Sequence, residues 1–116
     1  MKRYGTFNVE IAEHAKGKTP VTTSRGGKLP KRHADSPHIG FVTYRCGAKL
    51  SHNFHSITCE VEISLPIALE SPVEDVDNFD PEPMERGAAL AVTIAEKIFE
   101  KEAASLRKTL RAMSKE

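Results

Sequence analysis

The chain contains no tryptophan, only two cysteines and no long apolar run. Two cysteines, Cys46 and Cys59, are too few to staple a secreted disulfide scaffold. No stretch approaches the ~20 apolar residues of a membrane span, and the opening MKRYGTFNVEIAEH lacks the apolar core of a secretory signal. These absences predict a cytoplasmic protein with no membrane partner. Net charge is scarce too: +1 over 116 residues excludes a generic coater of nucleic acid and leaves one domain with a modest core.

The small total hides a segregation. Residues 13 to 33 carry Lys16, Lys18, Arg25, Lys28, Lys31 and Arg32 against Glu13 alone. Residues 70 to 85 carry Glu70, Glu74, Asp75, Asp77, Asp80, Glu82 and Glu85 with no basic residue.

Alternation supplies the strands. Phe7, Val9 and Ile11 share one face of a strand over 4–12. Between 13 and 37 the chain holds three glycines, three prolines and few large apolar side chains, which predicts a mobile basic loop. From 40 to 65 two amphipathic runs form a hairpin. A four-residue turn over Ser51–Phe54 sets Cys46 opposite Cys59, Tyr44 opposite Val61 and Arg45 opposite Glu60. Pro66 is expected to end the second strand, and an acidic linker over 66–80 follows. Asp80 suits an N-cap with Pro81 at the first helical position, opening a helix over 81–114.

From Met84 to Met113 alone the helix has about 30 residues, roughly 45 Å at ~1.5 Å per residue, and outreaches an eight-residue strand. Its first half presents Gly87, Ala88, Ala91, Ile94, Ala95 and Ile98 to a sheet. Farther along, Val92, Phe99, Leu106, Leu110 and Met113 form a seam read as a homo-oligomer interface. The expected fold is therefore α+β: one domain over 1–116, a three-stranded antiparallel sheet on one long C-terminal helix.

Chemistry is harder to find. Cys46, His52, His55 and Cys59 have the residue types of a zinc site, but the hairpin spreads them, so they are read as core thiols and turn histidines. Ser24, His33, Asp35 and His38 would make a triad only if a loop fixed their geometry. TSRGGK lacks the spacing of a phosphate loop. No catalytic residue, metal or cofactor is assigned, and the chain is read as a non-enzymatic binding protein. The ligand-binding candidates are Lys16, Lys18, Arg25, Lys28, Lys31, Arg32 and His33, whose donors suit nucleic acid or a phosphate-bearing, nucleotide-like ligand.

The block GAKLSHNFHSITCEVEISLP, the acidic linker after it and the helix AVTIAEKIFEKEAASL resemble small tailed-phage accessory proteins. The resemblance covers about residues 40 to 110 and implies a viral accessory role in the cytoplasm of a host cell. It carries over no functional residue. Two other functions stay open: an anti-defence inhibitor that binds a host protein or sequesters a signalling nucleotide, and a structural or assembly protein.

Overall fold

Four long strands precede one helix: β1 (Lys2–His14), β2 (Val21–Asp35), β3 (His38–His52), β4 (His55–Leu69) and α1 (Glu82–Ser114). The computed structural model describes residues 2–114; residues 1, 115 and 116 of the expected domain lie outside the described residues. The strands form one sheet in the order β2-β1-β4-β3 with every neighbouring pair antiparallel. The α+β expectation holds, but the sheet has four strands rather than three.

The added strand is β2, which occupies most of the expected loop. Its fifteen residues are exposed except for half-buried Leu29 and buried Ala34, so no hydrophobic alternation announces it. It forms because an edge strand can be held by backbone pairing to β1, from Glu13–Val21 through Thr6–Lys28 and again at Tyr4–His33. Between the last two pairs the register slips, leaving residues 29–32 opposite Gly5 alone. Pro30 sits in that bulge, where the ladder is interrupted and a missing N–H is tolerated.

The hairpin is where alternation placed it, but its register differs by two residues. Cys46 faces Val61, Tyr44 faces Ile63 and Arg45 faces Glu62. The cause is the turn: only Asn53 and Phe54 connect the strands, with φ of 48° and 69°. Two central residues at positive φ make a type I′ turn, whose twist matches that of the strands it joins. A shift of two preserves side-chain parity, so every apolar residue keeps its face. Pro66 does not end β4, which continues to Leu69. It lies just past the last β1–β4 pair, Thr6–Ser64, where β4 keeps a partner only at β3.

The helix starts as its cap predicts: the Glu82 N–H donates to Asp80 Oδ1 at 3.0 Å, and Glu85 N–H to the Pro81 carbonyl at 3.0 Å. Fifteen strand residues at ~3.3 Å span ~50 Å, and 33 helical residues at ~1.5 Å span the same length. The result is a rod of 60 × 23 × 22 Å in which the sheet matches the helix. This removes the premise of the oligomer seam. Leu106 and Leu110, at 6% and 5% exposure, join Ile57, Val61 and Ile63 in the protein's own core. Phe99 and Met113 pack on that core, and Val92 is half-buried.

Candidate functional site

One face of the sheet takes the helix, and the other is bare. On the helix face lie Ile57, Cys59, Val61, Ile63 and Leu65 of β4, flanked by Phe7, Val9 and Ile11 of β1 and by Val42, Tyr44, Cys46 and Leu50 of β3. Burial raises the pKa of both the Cys46 and Cys59 thiols, which keeps them protonated and poorly nucleophilic. Alternation sends the other half of each strand outward.

At the end of the bare face where the helix begins, aromatic and basic groups gather. Lys28 Nζ stands 4.9 Å from the centroid of the Tyr4 ring, and the His33 ring lies 5.7 Å from it, tilted by 45°. Two strands away Phe41, paired with Pro66, is 51% exposed. Two strand spacings put the aromatic side chains on the order of 10 Å apart. The bulge brings Lys31, held at φ 61°, to this end of the sheet, whereas Arg32 departs from the helix side, where its Cβ lies beside Gly5 together with Leu29 and Leu65. Beyond this row, Thr43 Oγ1 donates to Ser64 Oγ at 3.4 Å.

The seven basic candidates do not form one site. Lys28 and His33 belong to this cluster through Tyr4, with exposed Lys31 in the bulge beside them, while Arg32 leaves the strand on the helix side next to Leu29. Arg25 turns to the helix and pairs with Glu102, so it pins α1 to the edge strand. Lys16 and Lys18 lie in the β1–β2 turn, beyond Val21 and so roughly 23 Å or more from Lys28 along seven strand residues. Phe41 was missed by sequence reasoning. Its signal was present: a large aromatic at 41 shares the parity of Thr43, Arg45 and Lys49, the polar side of the alternation.

The other constellations are pulled apart. Ser24 and His33 are nine residues apart on one strand, roughly 30 Å. His52 faces His55 at the turn, while Cys46 is six residues farther down β3, roughly 20 Å. Among the described residues no group of three or more His, Cys, Asp or Glu side chains is placed to hold a metal ion.

Midway along the bare face the charge reverses. Glu10 and Glu60 are directly opposite one another, and Glu62 is next in line. Arg45 Nε donates to Glu62 Oε2 at 2.9 Å and its Nη2 reaches the same oxygen; this hydrogen bond, then the charge of Glu62, raises the Arg45 pKa. The Glu10–Glu60 pair has no such relief from each other, and facing like charges weaken a ladder. Glu60→Thr is expected to raise stability by about 0.5 kcal/mol. Urea unfolding of the two proteins checks this, and an unchanged or lower midpoint would refute it.

The fold and site together describe a class: a long antiparallel sheet, helix-covered on one side and bearing an aromatic and basic cluster at one end of the other. Comparison with family models, curated proteins and solved structures finds no match.

Proposed function

We propose that the chain is a non-enzymatic module that binds single-stranded nucleic acid at the helix-start end of its bare sheet face. Unpaired bases stack on Tyr4 and Phe41, and phosphates contact Lys28 and Lys31. The observation that carries this reading is the half-exposed Phe41 on the same bare face as Tyr4, with Lys28 and His33 against the Tyr4 ring. Exposed aromatic side chains on a sheet suit single strands, because a duplex hides the base faces that stack. The carboxylates of Glu10, Glu60 and Glu62 repel a polyanion farther along the face, which limits the footprint to on the order of four nucleotides. A phage accessory protein working in the host cytoplasm is a fitting owner of such a module.

Fluorescence anisotropy with dye-labelled single-stranded DNA and RNA oligonucleotides tests the reading. Affinity is expected to fall with salt at a log–log slope of about −1.4, the value for two phosphate contacts on a single strand. The double variant Tyr4→Ala, Phe41→Ala is expected to weaken binding at least about tenfold. A duplex of the same sequence should bind more weakly. No detectable binding at low salt, or full affinity in the double variant, would discard the proposal.

A further inference from the structure

The far end of the rod brings together two turns and the end of α1, and it carries its own unusual features. Phe54 occupies the second central position of the type I′ turn at φ 69°, a conformation that favours glycine and penalises a bulky side chain. Burial does not compensate, since Phe54 is 86% exposed. A strained and solvated aromatic is a reason to look for a ligand. Lys16 Nζ lies 4.9 Å from the ring centroid, and with so much of the ring exposed there is room for a planar group to stack.

Next to it is a cavity of about 320 Å³, within the small-molecule range, lined by Lys16, Lys18, Thr19 and His55 with Val21 and Met113 as apolar wall. The Lys16 backbone N–H donates to His55 Nδ1 at 3.3 Å. That bond requires the lone pair on Nδ1 and leaves the ring proton on Nε2 as a donor. Two lysines, a hydroxyl and an imidazole N–H therefore surround one small space, while Glu13, also on its wall, can accept from a sugar hydroxyl or a base amino group.

We propose that this pole is a second binding site, for a mononucleotide. The phosphate sits among Lys16, Lys18, Thr19 and His55 Nε2, and the base stacks on Phe54. The site stands apart from the nucleic-acid reading of the bare face, and either can fail without the other.

Titrations with adenosine and uridine monophosphates, followed by calorimetry and by amide NMR, test it. Expected are shifts at residues 15 to 19 and at His55, and affinity at least about tenfold above that of the nucleoside or of inorganic phosphate alone. Phe54→Gly is expected to raise the unfolding temperature yet weaken nucleotide binding about tenfold, and Lys16→Glu to abolish it while leaving oligonucleotide binding at Tyr4 and Phe41 unchanged. The proposal is overturned if millimolar nucleotide leaves these resonances unmoved. It is equally overturned if inorganic phosphate binds as well as the nucleotide and Phe54→Gly changes nothing, since the pole would then be a general anion attractor.

Discussion

A chain carrying Leu106→Asp is expected to lose about 4 kcal/mol of folding stability, a large part of the ~5–15 kcal/mol that a domain possesses. Leu106 is 6% exposed and belongs to the same cluster as Ile57, Val61 and Leu110. The substitution removes a buried isobutyl group, leaves a gap and asks a carboxylate to sit in apolar surroundings. The sequence alone assigned Leu106 to a contact between copies of the chain, and the two assignments predict different measurements. If the residue serves the protein's own sheet, the urea midpoint falls by the same amount at widely separated protein concentrations. A variant that unfolds like the parent but dissociates on dilution would restore the oligomer seam and remove the intramolecular account. The double variant with Leu110→Asp should not fold at all, because both residues fill one stretch of core.

Gly87→Leu is expected to cost about 3 kcal/mol by overpacking. A Cβ at position 87 would lie 2.3 Å from Ile67 Cδ1, 3.0 Å from its Cγ1 and 3.5 Å from Val42 Cγ2. The helix meets the sheet through a row of small residues, Gly87, Ala91 and Ala95, all buried. A leucine here must lift the first turns of α1 off β3 and β4. Gly87→Ala makes the informative comparison. It gains about 1 kcal/mol of helix propensity and loses a similar or larger amount if Ile67 must shift, so its net effect should be a small loss. Thermal unfolding followed by circular dichroism separates the pair. A leucine variant as stable as the parent would mean that Ile67 yields freely and that close approach is not what seats the helix.

The parts of the fold that were legible share one property: their side chains state their surroundings. The alternation of Val42, Tyr44 and Cys46 with Thr43 and Arg45, and of Ile57, Cys59, Val61 and Ile63 with Thr58, Glu60 and Glu62, marks two half-buried strands whatever the register. Asp80 and Pro81 mark a helix start because the cap is a local interaction. The strand β2 lacks such a mark. VTTSRGGKLPKRHAD buries almost nothing, so its composition argues for a loop, while its order comes from the backbone of β1. Missing β2 made the sheet look too narrow, and ending β4 at Pro66, with β3 cut short to match, made it look too short for the helix. From that shortfall the oligomer seam followed. The site suffered in the same way. A run of basic residues reads as one patch, but a strand turns successive side chains to opposite faces and carries them along its length. So Arg25 went to the helix, Lys28 to Tyr4 and Lys16 to the opposite pole.

Local sequence thus determined which residues alternate, where the helix is capped and which side of the hairpin is apolar, since each depends on neighbours within a few positions. Only the tertiary structure decided that a polar segment becomes an edge strand, that the helix is covered along its length, and that Phe41 shares an uncovered face with Tyr4. Those outcomes depend on backbone pairing and on the matched length of strand and helix, which bring together residues distant in the chain and are not encoded in any short stretch of it.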